Sequence, residues 1–274
     1  MSPSVPRHLY KYRAMTSSDG WNPFTKSAIA GRELYLSSIA QFNEPFEFCW
    51  RPGIVRRDVT PDQLRELMRQ GDAFSDEQQK AFAETTPATF ERALPVVVEW
   101  HRQQLEREAG VLAMAAHVDN LLMWSHYADN HKGICLKFDT SIAPFDSDVH
   151  PVIYRSDMPA FDIPGTVFED FADQVLLGKS PCWEYEQEWR LVRLKIPAGE
   201  RAVRYPPEAL TGIVLGCRFP EARRPELDDW IKASGARPEI CYAVQSGEKY
   251  ELEVTSARPS PYAARLKLIL GGSP

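Results

Sequence analysis

The run Leu9-Tyr10-Lys11-Tyr12-Arg13 alternates apolar, aromatic and basic side chains, the pattern of a short strand. A helical segment over Thr25–Ala30 follows, stopped by Gly31, and then a second strand over Glu33–Ser38 that runs into the loop Phe42–Glu47. The punctuation next becomes helical. Thr60 before Pro61 and Gln63 reads as an N-cap, a first-turn proline and a capping-box partner, and Leu64, Leu67 and Met68 share a stripe that Gly71 ends. Ser75 with Gln78 starts another helix. Thr86-Pro87 opens a longer one, in which Phe90, Leu94, Val98, His101 and Leu105 recur near four-residue spacing and Pro95 marks a kink or the true start.

From Val111 the pattern returns to strands, at Val111–His117, Gly133–Phe138, Val149–Tyr154, Trp189–Leu194, Gly212–Leu215, Ile240–Val244 and Tyr250–Val254. Leu121–Tyr127 reads as a short helix or turn, Thr166–Leu177 as a helix, and Leu227–Ala233 as a helix stopped by Gly235. No repeat or Pro/Gly/Ser-rich linker interrupts the chain. The expectation is a single α+β domain over residues 1–274, with a helical insertion at residues 39–110 between the second and third strands.

Composition narrows the class. Of 274 residues, 43 % are apolar and 26 % charged, enough apolar side chain for a sizeable core and too much for a disordered chain. A net charge of −6 excludes the global basic field of a dedicated nucleic-acid binder, while leaving room for a local basic cleft. The five cysteines are scattered, without a Cys-x-x-Cys pair, which suits a reducing compartment. The N-terminal residues hold no apolar signal segment, and the apolar runs are too short to span a bilayer, so a cytoplasmic protein with no membrane partner is expected.

Three constellations carry chemistry. The first is Trp183-Glu184-Tyr185-Glu186-Gln187-Glu188-Trp189-Arg190. As a strand it places Glu184, Glu186, Glu188 and Arg190 on one face, roughly 7 Å apart, where like charges oppose ionisation and call for a cation, a metal or a cationic substrate. As a helix it is a solvated face with an ordinary Glu186–Arg190 pair. The second is Trp124-Ser125-His126-Tyr127 with Asp129, His131 and Gly133, a polar-aromatic crowd that suits a loop stacking rings on a planar ligand, or else an interior Trp and Tyr with capping polar groups. The third joins Tyr12 and Arg13, at the end of the first strand, to Ser37 and Ser38 at the end of the second. An arginine and a hydroxyl on adjacent strand ends can hold a phosphate or a ribose. The five-residue spacing of His126 and His131 suits no zinc motif, and no Gly-x-Gly-x-x-Gly, Walker loop or His-Glu-x-x-His occurs.

Together, Leu9–Arg13, Leu36-Ser37-Ser38, Phe42–Glu47, Met123–Ala128 with His131 and Gly133, and Tyr185–Arg190 resemble a bacterial and phage family known only as a domain of unknown function. More distantly, their order resembles toxin-type ADP-ribosyltransferases, nearest the branch that modifies DNA bases. That likeness implies an ADP-ribosyltransferase-like mixed sheet core, NAD as co-substrate, and a nucleic acid or protein as acceptor, in a toxin or phage-defence setting. It also implies that Arg13 binds the NAD phosphates or ribose, Ser38 supports the nicotinamide ribose, and Glu186 and Glu188 fill a Glu-x-Glu position. Tyr12, Trp124 or Tyr127 would then stack a ring beside His126. The second strand carries Ser37-Ser38 where that fold has Ser-Thr-Ser. Two readings from other classes stand beside it: a binding module without chemistry, and a metal-dependent nuclease or hydrolase using Glu184, Glu186, Glu188 and His126.

Overall fold

Eight strands form one mixed sheet in the computed structural model, which describes residues 3–17, 20–55, 98–99, 101–163, 168–197 and 199–258. In chain order they are β1 (His8–Arg13), β2 (Gly110–Ala115), β3 (Ile134–Asp139), β4 (Val149–Pro151), β5 (Glu188–Arg193), β6 (Leu210–Leu215), β7 (Glu239–Gln245) and β8 (Leu252–Thr255). Across the sheet the order is β8-β7-β6-β3-β1-β2-β5-β4, and the β6–β7 pair is the parallel one. The helices named below are α1 (Pro23–Ala30), α2 (Leu121–Tyr127), α3 (Phe168–Leu177) and α4 (Arg224–Ser234). None of the described helices is long and apolar enough to cross a membrane.

Local chemistry explains the helix ends. The Asn22 side chain accepts from the N–H groups of Phe24 and Thr25, and Asn120 does the same for Leu122 and Met123, so both α1 and α2 start on an Asn cap. Gly235, at φ 70°, closes α4 in the left-handed conformation that glycine adopts without strain. Among the described residues, three buried clusters hold the sheet. Leu9, Ile29, Leu34, Leu136, Phe138 and Leu191 belong to the largest, beneath α1 and α4. Trp50, Phe161 and Phe171 meet edge-to-face in the second, beside α3. Tyr12, Met123, Trp124 and Cys135 anchor α2 in the third.

One irregularity of the sheet prepares the site. β1 pairs with β3 at every position from His8↔Asp139 to Arg13↔Ile134, but with β2 only at Tyr10↔Ala115. Beyond that point the backbone ladder between β1 and β2 stops, and the sheet is open there.

The expected second strand is corrected. It spans Glu33–Tyr35 and pairs with Ala202–Arg204 in a separate two-stranded sheet, not beside β1. Ser37 makes an isolated bridge to Val111, and Ser38 begins a single 3-10 turn, Ile39–Gln41. The reason lies in Ser38-Ile39-Ala40-Gln41, a Ser-x-x-Gln capping pattern: the Gln41 side chain accepts from the Ser38 N–H at 2.9 Å. The insertion at 39–110 is not helical throughout either. Arg51–Val55 is a strand paired in parallel with Ala160–Ile163, whereas residues 101–108 are helical. The helices expected from Thr60, Ser75 and Thr86 lie outside the described residues up to Pro95, apart from the end near Leu105. Val149–Tyr154 divides into β4 and a separate strand, Ile153–Tyr154, which pairs in parallel with Gly178–Lys179 and so fixes Lys179.

Candidate functional site

A cleft of about 420 Å³ lies where β1 and β2 part. Lys11 and Arg13 contribute to one wall and Val111–Ala115 to the other, while Tyr35, Ser37, Gln41, Phe42 and Asn43 border it from the segment bridged to Val111. Glu47, Tyr127, Lys179, Glu186 and Glu188 complete the lining.

The acidic side is a closed network. Lys179 Nζ donates to Glu186 Oε2 and to Glu188 Oε2, each at 2.6 Å, and stands 3.7 Å from Glu47 Oε1. Arg190 donates from Nε to Glu188 Oε1 at 2.7 Å, from Nη2 to Glu47, and from Nη1 to the Leu176 carbonyl; its guanidinium also lies over the Phe48 ring. Tyr127 Oη donates to Glu186 Oε1 at 2.8 Å, and the Glu188 N–H donates to Tyr154 Oη at 2.9 Å. Exposures of 8 % for Glu47, 7 % for Lys179, 4 % for Glu186 and Glu188 and 0 % for Arg190 rule out the solvated-face reading. Burial by itself raises a carboxyl, but Arg190 and Lys179 outweigh it at Glu188 and hold that group down at about 2. At Glu47 burial wins over the same two cations, and its carboxyl is raised. Burial and the Glu186 carboxylate together push the Tyr127 hydroxyl up, so it serves as a donor.

The cations of β1 lack such partners among the described residues. Among the described residues no carboxylate lies within ion-pair distance of Lys11 or Arg13. Lys11 Nζ donates to the Ala113 carbonyl at 2.6 Å, across the open ladder. Arg13 Nε is buried without a hydrogen-bond partner, and burial lowers its guanidinium to about 10. A buried N–H without an acceptor is unusual, and it leaves the Arg13 guanidinium with unused donor capacity at the cleft.

The structure therefore brings Arg13, Tyr12, Tyr127, Glu186 and Glu188 to one cleft, and leaves three expected residues off its lining. Trp124 is core: fully buried, it stacks edge-on against Tyr12 at 5.2 Å and donates Nε1–H to the Val118 carbonyl at 2.6 Å. His126 is exposed on α2. Ser38 caps its 3-10 turn, and its neighbour Ser37 reaches the cleft instead. Tyr12 lines the cleft, but its hydroxyl is tied to the His117 carbonyl at 3.0 Å.

The expected carboxylate row also takes another form. Pro181–Glu186 is a 3-10 turn, favoured by a proline at its start and closed by Gln187 at φ 42°, and the strand begins at Glu188. Glu184 is exposed outside the row, while Glu186 and Glu188 still converge. The cation that their crowding demanded is Lys179. Sequence reasoning missed Lys11, Lys179 and Glu47 as site residues. Lys11 shares a strand face with Arg13 and was legible by alternation; Glu47 closes the Phe42–Glu47 motif but without a sign of its role, and Lys179 carried no local signal, since both meet the strand only through the fold.

Residues 123–191 match a family model described as "Protein of unknown function (DUF2971)". That span runs from Met123 within α2 through Glu188 and Arg190 and leaves β1 outside. No curated protein and no solved structure matches the chain.

Proposed function

We propose that the cleft binds NAD and that the protein is an ADP-ribosyltransferase-like enzyme. One observation carries the reading: two cations without carboxylate partners among the described residues, Lys11 and Arg13, line the same cleft as the converging carboxylates Glu186 and Glu188. The cations suit a diphosphate, and Tyr35, Phe42 and Tyr127 offer ring faces and edges for a planar base. A volume of about 420 Å³ suits the reacting half of a dinucleotide. Breaking the nicotinamide–ribose bond develops positive charge on the ribose, and a fixed carboxylate at Glu188 stabilises that charge without reorganising. Glu186, already accepting from Tyr127, is the proton acceptor for an incoming nucleophile. The acceptor is a nucleic acid or a protein.

A second reading, a binding module that holds the same ligand without turning it over, is favoured by the pairing of Glu188 with both Lys179 and Arg190, which offsets much of its charge. The metal-dependent hydrolase is disfavoured by the ammonium of Lys179, which sits where a cation between Glu186 and Glu188 would sit, and by His126 lying off the cleft. Calorimetric titration of the protein with NAD, followed by nicotinamide release in the presence of nucleic acid and protein acceptors, separates the readings. Binding with release supports the transferase, binding without release supports the module, and no binding overturns both.

A further inference from the structure

Lys11 enters the transferase reading only as a positive charge, and its setting opens a second chemistry to it. It lines the cleft, has no carboxylate within ion-pair distance among the described residues, and spends one ammonium hydrogen on the Ala113 carbonyl at 2.6 Å. Arg13, two residues along β1, puts a second cation on the same strand face. Amines become nucleophilic at neutral pH when they are desolvated or set beside another cation; Lys11 is half-buried in the cleft lining, with Arg13 two residues along the same strand face.

We propose that Lys11 is a nucleophilic amine that condenses with an aldehyde or ketone carrying a phosphate group, such as the open-chain form of a sugar phosphate, with Arg13 holding the phosphate. The lone pair of the neutral amine forms the new C–N bond at the carbonyl carbon, and the C=O π pair moves to oxygen. The two amine hydrogens leave with that oxygen as water, giving a Schiff base. The bound phosphate favours the protonated, cationic form of this product. The step needs no oxidant, metal or further reactant, and it stands whether or not NAD is the natural ligand.

The surroundings of Lys11 agree with this role. Burial first and the Arg13 charge second bring its ammonium down to about 7; Lys179 adds to the effect, and Glu188 and Glu186 oppose it. The charge of Lys11 also acts on Cys135 of β3, where burial outweighs it and holds that thiol protonated. Against an ordinary lysine near 10.4, a group near 7 carries roughly a thousandfold more neutral amine at neutral pH.

The test is to incubate the full-length chain with pyridoxal 5′-phosphate at neutral pH, reduce with borohydride, and map the modified peptides by mass. Lys11 is expected to be labelled at least about tenfold faster than any other lysine, a discount on the thousandfold for access. Its rate should rise with pH to a midpoint near 7. Pyridoxal, which lacks the phosphate, should label it more slowly, and Arg13→Gln should remove most of that difference. Lys11→Arg keeps the cation and should lose the label. Labelling of Lys11 no faster than that of surface lysines, a midpoint near that of a free amine, or equal rates with and without the phosphate would each overturn the proposal. These readouts need neither NAD nor Glu188, so their failure is distinct from failure of the transferase reading.

Discussion

Lys179 and Glu188, nine residues apart in the chain, form a buried ion pair at 2.6 Å that crosses from the short Gly178–Lys179 strand to the first residue of β5. The same ammonium reaches Glu186, so one lysine neutralises two carboxylates that would otherwise oppose each other's ionisation. Breaking one member of a buried charge cluster is far worse than never having built it, because the remaining charges are left without solvent or partner.

Lys179→Met is therefore expected to destabilise the fold by about 3–5 kcal/mol, seen as a lower urea midpoint with an unchanged slope. Adding Glu188→Gln to that variant removes one stranded charge and should restore part of the loss. If the double variant is less stable than the sum of the two single changes, the network does not work as described.

Stability should fall in acid over a defined window. The Glu188 carboxyl is held from its ordinary 4.5 down to about 2, so its contribution is complete above pH 4.5 and disappears as the pH drops towards 2. Urea titrations along that range should show midpoints that decline for the wild type and decline less for Glu188→Gln. Parallel declines in the two proteins would place the acid sensitivity elsewhere.

Within the transferase reading, Glu188→Gln and Arg13→Ala should separate kinetically. Loss of a carboxylate that stabilises developing charge lowers kcat for nicotinamide release by roughly 100- to 1000-fold with little change in KM. Arg13→Ala removes an anion contact made in ground and transition states alike, so it should chiefly raise KM. Thermal melting of both variants controls for folding.

Gly133→Ala tests how the loop after α2 is set against β1. A Cβ at Gly133 would stand 2.2 Å from the Arg13 carbonyl oxygen and 2.9 Å from that of Ala128, both backbone atoms that cannot turn aside. The substitution should destabilise by about 1–3 kcal/mol and disturb ligand binding through Arg13. His126→Ala, at an exposed position off the cleft, should stay within about 0.5 kcal/mol of wild type and leave NAD binding unchanged. A binding loss in His126→Ala would return that residue to the site.

Much of the local structure was legible because its causes are local. Asn120 caps α2 at the boundary the sequence suggests, Gly235 ends α4, and alternation marks the strands that became β1, β3 and β5 to within a residue or two. The mutual repulsion of Glu186 and Glu188 was legible too, and with it the need for a cation. The Ser38–Gln41 capping pattern stood in plain view and was outweighed by the strand-like run before it.

What local pattern could not decide is which distant segments meet. Lys179 reaches the carboxylates because Gly178–Lys179 pairs with Ile153–Tyr154, and Glu47 joins them from a loop 143 residues away from Arg190. Trp124 turned inward to Tyr12 because an indole gains more from a dry, edge-on contact and a carbonyl acceptor than from a wet rim. The opening between β1 and β2 is itself tertiary: β1 satisfies its backbone along β3 but leaves β2 after a single pair, and β2 turns to Ser37. Residue types and periodicity set the chemistry that each segment can offer. Long-range strand pairing and burial, which depend on partners a hundred or more residues away, set where that chemistry converges.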